Sequence, residues 1–257
     1  MNALTIVKVG GAIVEEPQSL NKLLDSFALV KGKRILIHGG GRTATKVAST
    51  MGLETHMANG RRITDPEMLR VVTMVYGGLV NKQVVALLNS RGLCALGLTG
   101  ADLGVVRAHK RIVTPGDIDY GLVGDVDKVD ALAMKHLLDG DIIPVVAPLT
   151  LGKDGQLLNT NADTIASEVA KAMASLYDVT LIYCFEKKGV LRNADDDDSV
   201  IEHIDSASYA ELKAKGTVSG GMLPKLENSF AALQAGVQKV IITRADSLNG
   251  GGTIIEK

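Results

Sequence analysis

Aromatic residues are scarce in this chain: they fill 3% of its 257 positions, and tryptophan is absent. Few flat side chains are therefore available for nucleobases to stack on. Charge of one sign is missing as well. Lysine and arginine number 28 against 29 aspartates and glutamates, a formal net charge of −1, so there is no basic excess to bind a nucleic-acid backbone. Only two cysteines occur, Cys94 and Cys184, far apart and each inside an apolar run (LCALGL and LIYCF). That argues against a disulfide framework or a cysteine metal centre and predicts two buried thiols. No Pro/Ser-rich linker divides the chain, no internal repeat is visible, and no apolar run reads as membrane-spanning. The opening MNALTIVKVGG has too short an apolar stretch for a signal peptide, which makes the cytoplasm the expected compartment.

What is present suits a real core. Hydrophobic residues make up 46% and charged residues 22%, over a length that fits one large α/β domain or two modest lobes. Apolar, β-branched runs at 4–9, 34–39, 93–98, 142–148, 180–185 and 239–243 read as strands. Several are apolar nearly throughout, the pattern of central strands covered on both faces. Segments 18–30, 42–51, 161–177 and 221–236 read as helices. So does a long stretch over 66–91, with Thr64 or Asp65 as N-cap, Pro66 in its first turn and Gly92 as its stop. This alternation predicts an α/β fold with a mainly parallel sheet flanked by helices. A lobe boundary falls near residue 177, where a helix gives way to a strand. The acidic run Asp195–Asp198 lacks the alternating ligands and glycine turn of a calcium loop and reads as a solvated loop tip.

Five segments carry residues suited to chemistry. Lys8-Val9-Gly10-Gly11 and His38-Gly39-Gly40-Gly41 each follow a strand, and the second opens a helix. Glycine there lets backbone N–H groups approach a ligand, and a helix N-terminus favours an anion. One such turn is as well explained by tight packing. Two at the ends of neighbouring parallel strands, one of them beside a lysine, point to phosphate. Their spacing fits neither the P-loop nor the dinucleotide fingerprint. His38 reads as a histidine bonded to the backbone rather than as an acid or base. Asn59-Gly60-Arg61-Arg62-Ile63-Thr64 precedes the long helix, and the planar fork of Arg62 suits a carboxylate, against the alternative of a surface arginine. Leu158-Asn159-Thr160-Asn161-Ala162-Asp163 enters another helix; Asn161 or Asp163 serves either as a cap or as a polar group delivered to a cleft. Ser219-Gly220-Gly221-Met222-Leu223-Pro224-Lys225 is a glycine entry to a helix bearing a lysine.

Taken in order, Lys-x-Gly-Gly, His-Gly-Gly-Gly, Asn-Gly-x-Arg-x-Thr, Asn-x-Asn-Ala-Asp and Gly-Gly-Met-x-x-Lys resemble the amino-acid kinase family. The resemblance runs from Lys8 to the closing Gly252-Thr253-Ile254-Ile255. Within the family it is to the members that phosphorylate N-acetylglutamate, the second step of arginine biosynthesis. It implies an open three-layer αβα sandwich, with an N-terminal lobe (1–177) for the acylglutamate and dimer contacts and a C-terminal lobe (178–257) for ATP. It implies catalytic roles for Lys8, Asp163 and Lys225, with Asp163 orienting both lysines. It assigns Gly40, Gly41, Arg62, Asn159 and Asn161 to the substrate. Lys8, Gly10, Gly11, Gly39, Gly40, Glu186, Gly189, Gly221 and Lys225 fall to the nucleotide. Mg²⁺ is expected to arrive with ATP, held mainly by its phosphates, and no protein residue is assigned as a metal ligand.

This sequence departs from the family at Tyr183–Gly189, where Glu186, Lys187 and Lys188 replace the usual Leu-Thr-Asp-Val-x-Gly pattern. Lys8 also lies close to the start, leaving no room for the added helix of arginine-inhibited hexamers, so a homodimer without arginine feedback is expected. The alternatives are N-succinylglutamate as acceptor, with Arg61 or Lys82 meeting the extra carboxylate, or another kinase of the family, acting on glutamate, aspartate, carbamate or a nucleoside monophosphate. From other classes come a silent nucleotide-binding regulator and a nicotinamide-dependent oxidoreductase. Neither nucleic acid nor membrane is expected as a partner.

Overall fold

Along the chain the strands are β1 (Ala3–Val9), β2 (Lys33–His38), β3 (Met57–Ala58), β4 (Arg61–Arg62), β5 (Ala95–Leu98), β6 (Val106–Lys110) and β7 (Gly124–Val129). They continue as β8 (Ile143–Val146), β9 (Leu149–Leu151), β10 (Leu157–Asn159), β11 (Asp178–Phe185), β12 (His203–Ile204), β13 (Lys239–Arg244) and β14 (Thr253–Ile255). The helices are α1 (Gly11–Glu15), α2 (Pro17–Ala28), α3 (Gly41–Thr50), α4 (Pro66–Val72), α5 (Asn81–Asn89), α6 (Ala131–Asp139), α7 (Ala162–Met173), α8 (Ser206–Ala214) and α9 (Met222–Gln234). The computed structural model describes residues 2–193, 195–218, 220–248 and 250–257.

Eight strands form the central sheet in the order β12-β14-β13-β11-β1-β2-β8-β5. Their pairings are parallel except for β13 with β14. Alternation along each strand feeds two cores. Leu4 and Ile6 of β1, Ile35 and Ile37 of β2, and Val179, Leu181 and Tyr183 of β11 face α6, α7 and α9. Val7 and Val9, Leu36, and Ile182 and Cys184 face α2, α3 and the helix that begins at Pro66. Side chains of a strand alternate between faces, so apolar residues at every position mean a sheet covered on both sides. The result is the expected αβα sandwich.

The stretch expected as a helix over 66–91 is one continuous helix over Pro66–Asn89 with an unexpected interior. Asp65 caps it, accepting from the Met68 N–H at 2.7 Å, and Pro66 occupies the first turn. Between α4 and α5, residues Thr73–Val80 form a π-helix. The run Pro66–Asn89 is long and apolar enough, by length and composition, to cross a membrane. In the fold part of that apolarity goes into packing, since Val71, Val72, Val75, Val80, Val84 and Leu88 belong to one core, while Met74 and Leu79 stay exposed.

Two expectations are corrected. Cys94 is exposed, because it precedes the edge strand β5; Cys184 is buried as expected. A second, four-stranded sheet, β10-β9-β6-β7, was not foreseen. The acidic run does form a solvated loop, with Asp197 pairing Lys187 at 2.8 Å and Asp198 pairing Lys188.

Candidate active site

Val9 pairs with His38 on one side and Cys184 on the other, so both glycine turns leave the sheet at the same level. There the turns meet. A Cβ on Gly11 would stand 3.5 Å from Gly40 N and 3.6 Å from Gly41 N, and one on Gly39 would stand 3.2 Å from Gly11 N. The amides of Gly11, Gly40 and Gly41 therefore converge on a small concavity at the starts of α1 and α3. Neither helix start has a side-chain cap. Uncapped amides at helix N-termini are a ready site for an anion. Tyr76, from the π-helical turn, backs this cradle; a Cβ on Gly40 would meet its ring at 3.0 Å.

Beside the cradle stands a charge triad drawn from three elements. Lys8, near the end of β1, places Nζ 2.7 Å from Asp163 Oδ1, and Lys225, in the first turns of α9, places Nζ 2.8 Å from Asp163 Oδ2. Asp163 itself lies in the first turn of α7. Burial would raise the Asp163 carboxyl, but the two ammonium groups outweigh it and hold the pKa at about 2. Burial lowers the Lys225 ammonium; Asp163 opposes that shift and Lys8 adds to it. The Lys225 Nζ also lies 5.2 Å from the Tyr183 ring centre and 5.7 Å from that of Phe185, so it is held by two π faces as well as a carboxylate.

A cleft of about 190 Å³ opens from the cradle and is lined by Gly39, Gly40, Gly41, Arg61, Arg62, Tyr76, Asn159, Thr160 and Asn161, among others. Arg62 is 7% exposed and, among the described residues, meets no carboxylate. Its guanidinium donates to the Gly41 carbonyl at 2.7 Å, Thr45 Oγ1 at 2.8 Å and Thr55 Oγ1 at 3.2 Å. Neutral partners on a buried cation leave its charge free to attract an anion. Asn159 donates to Thr64 Oγ1 at 3.0 Å. Asn161 is the N-cap of α7, accepting from the N–H groups of Asp163 and Thr164, and its side chain also borders the cleft.

A second recess next to the cradle, of about 320 Å³, is lined by Gly10, Gly11, Gly41, Arg42, Phe185 and Glu186, among others. Glu186 makes an exposed ion pair with Arg42 at 3.6 Å across it. Gly189 stands apart: a Cβ there would lie 2.7 Å from Thr253 Oγ1 and 2.9 Å from Val200, so close packing alone demands glycine. Gly221 is exposed at the start of α9, one turn before Lys225, and Ser219 of the same motif lies outside the described residues. Lys82 faces the Gly97 carbonyl rather than the cleft. Sequence reading missed Tyr76, which carries no motif and sits in an apolar stretch, and it gave no role to Thr160, although that residue lies inside the quoted Leu158–Asp163 segment.

Fold and cleft together define an α/β protein with an anion cradle and a lysine–aspartate–lysine triad at the carboxyl ends of its parallel strands. The chain belongs to the amino acid kinase family, whose model matches residues 3–244. It is 59% identical to the acetylglutamate kinase of Phocaeicola vulgatus over 255 residues, covering 99% of this chain and 98% of that protein. With the acetylglutamate kinase of Bacteroides fragilis it shares 56% identity, covering 99% and 97%. A solved Streptococcus mutans protein superposes with a TM-score of 0.80 at 30% identity, covering 98% of each chain.

Proposed function

We propose that this chain transfers the γ-phosphoryl group of ATP to the γ-carboxylate of N-acetyl-L-glutamate, the second step of arginine biosynthesis. The observation that carries this is the Lys8–Asp163–Lys225 triad standing beside the two-turn glycine cradle. Family membership and the names of the relatives support the same reaction.

The acceptor carboxylate is already ionised at neutral pH, so no general base is needed. One of its oxygens attacks the γ-phosphorus, the bond to the bridging oxygen of the β-phosphate breaks, and ADP leaves; no proton moves. The barrier lies in bringing two anions together and in the charge spread over the transferring group. Lys8 and Lys225 flank that group, and Asp163 fixes both. The amides of Gly11, Gly40 and Gly41, with Gly10 and Gly39 shaping their turns, bind its oxygens. Arg62 takes a substrate carboxylate and Asn159 its acyl amide, while Asn161 holds the start of α7. Mg²⁺ would arrive with ATP and be held mainly by its phosphates, where it would neutralise charge; both Asp163 oxygens are engaged by lysines. Residues 1–177 would hold the acylglutamate and 178–257 the nucleotide, in a cytoplasmic homodimer. Support for the dimer is the apolar exposure of Leu96 on edge strand β5 and of Met74 and Leu79 on the π-helical turns.

N-Succinyl-L-glutamate is a second acceptor favoured by one observation: Arg61 lines the cleft beside Arg62 and could meet one more carboxylate. Burial and the neighbouring Arg111 lower the Arg61 pKa, with Asp125 opposing. ATP turnover against N-acetyl-, N-succinyl- and free glutamate, with hydroxylamine trapping of the acyl phosphate, separates these. Turnover is expected on an N-acylated glutamate and not on glutamate; comparable rates on all three would sink the assignment.

A further inference from the structure

Behind the glycine cradle lies a buried polar pair outside the triad. His38, at the end of β2, is fully buried; its Nδ1 is 2.8 Å from the Gly39 carbonyl oxygen and its Nε2 is 3.0 Å from Asn81 Nδ2. Asn81, 1% exposed at the start of α5, also donates from Nδ2 to the Val145 carbonyl at 2.9 Å, and its Oδ1 accepts from Lys82 Nζ at 3.3 Å. Those neighbours fix the sense of the amide. An amide nitrogen only donates, so Nε2 accepts, and the imidazole proton resides on Nδ1, aimed at Gly39. Burial pushes the His38 pKa down to about 4, which keeps the ring neutral near neutral pH.

The surroundings are shaped to hold the pair. A Cβ on Gly97 of β5 would fall 1.8 Å from Asn81 Oδ1, so glycine there makes the room. The π-helical turns of Thr73–Val80 lead directly into Asn81. A π-turn holds more residues than an α-turn and so rotates the helical residues after it, a device found often at functional sites. Here the same helix sets Tyr76 against Gly40 and Asn81 against His38.

The peptide joining Gly39 to Gly40 is planar and trans, so its C=O and N–H point in opposite directions. A carbonyl drawn onto the imidazole turns the Gly40 N–H the other way, out toward Gly11 and the concavity. We infer that His38 and Asn81 are positioning residues for phosphoryl transfer: Asn81 fixes the His38 tautomer, and His38, through the Gly39–Gly40 peptide, aims the Gly40 N–H into the anion cradle. This rests on the cradle being the γ-phosphoryl site proposed above.

The test compares His38→Asn, His38→Gln and Asn81→Ala with wild type, measuring kcat, KM for N-acetylglutamate and melting temperature. Histidine ¹⁵N NMR of the folded wild type reads the tautomer. An Asn amide overlays the imidazole Nδ1 and keeps the bond to Gly39; a Gln amide overlays Nε2 and loses it. His38→Asn should keep kcat within about threefold, whereas His38→Gln and Asn81→Ala should lose about tenfold or more with KM little changed, as removal of an oxyanion donor does in other enzymes. A purely structural pair would lower melting temperature in all three while leaving their kcat values alike. Equal kcat in the Asn and Gln variants, or an Nε2–H tautomer in wild type, overturns the inference and leaves the proposed reaction standing. Wild type that fails to turn over ATP with any acylglutamate overturns both.

Discussion

Asp163 holds two ammonium groups that would otherwise repel each other, and its ionisation is part of the fold as well as of the site. Its carboxyl sits at about 2 against an ordinary 3.8, so the group binds protons more weakly folded than unfolded. Stability from such a depressed acid is complete above the ordinary pKa and is lost as pH falls through the folded one, here between about pH 4 and pH 2, and amounts to roughly 2 kcal/mol. In urea titrations, wild type should exceed Asp163→Asn by about that margin at pH 5 and converge with it near pH 2; a constant gap across that range would refute the linkage. Lys8→Ala and Lys225→Ala should each lose most of kcat, on the order of 10²-fold or more, since each removes charge from beside the transferring group. Near-normal turnover in either would sink the mechanism. Gly11→Ala probes the cradle by filling it. The new methyl would rest at ordinary contact distance, 3.5 Å from Gly40 N, so the fold should survive with melting temperature nearly unchanged. Occupying the space before two amides should cost about 10²-fold in kcat/KM for ATP. Unimpaired kinetics would mean that no phosphoryl group binds there.

At the scale of elements, the six apolar runs read as strands are six adjacent strands of the eight-stranded sheet, ending at edge strand β5, and the interior ones are legible because a strand buried on both faces announces itself by composition. The second sheet gave no such signal. Its β7 reads GDVDKV with one side wet, and β9 and β10 are three residues each, below the length at which alternation can be recognised. Both glycine turns, Lys8, Asp163 and Lys225 were singled out because each stands beside a strand end or helix start, but their grouping came from the family resemblance and not from local position. Asn81 was not singled out: it lies in the same apolar helix as the core valines, 43 residues from His38, and nothing local marks it. Its clearest trace is on another element, in the glycine at 97. Gly97→Ala should push Asn81 aside or part β5 from α5, with a loss of about 1–3 kcal/mol in chemical denaturation. A stability equal to wild type would show that the amide has room to move and does not fix the ring.

At the scale of the molecule, the sheet ends on one side in β5, whose Leu96 is 40% exposed; α5 packs on β5, and the π-helical turns that lead into α5 show Met74 at 51% and Leu79 at 55%. An uncovered edge strand invites another chain, and monomeric proteins seldom leave apolar residues gathered at one. A second copy is the economical cover. The helix that bears this outer face also carries Tyr76 and Asn81 on its inner face, against the glycine cradle. Docking of two copies would therefore brace the cradle from behind, so that assembly and phosphoryl transfer share one helix. Leu79→Asp should convert a dimer to a monomer in sedimentation equilibrium at micromolar concentration, since the carboxylate would have to be desolvated in an apolar contact. Because the side chain points away from the cleft's lining, any loss of kcat in that variant should track the monomer fraction and recover as protein concentration is raised. A wild type that sediments as a monomer would remove the dimer, and a dimeric Leu79→Asp would move its interface to another face of the sheet.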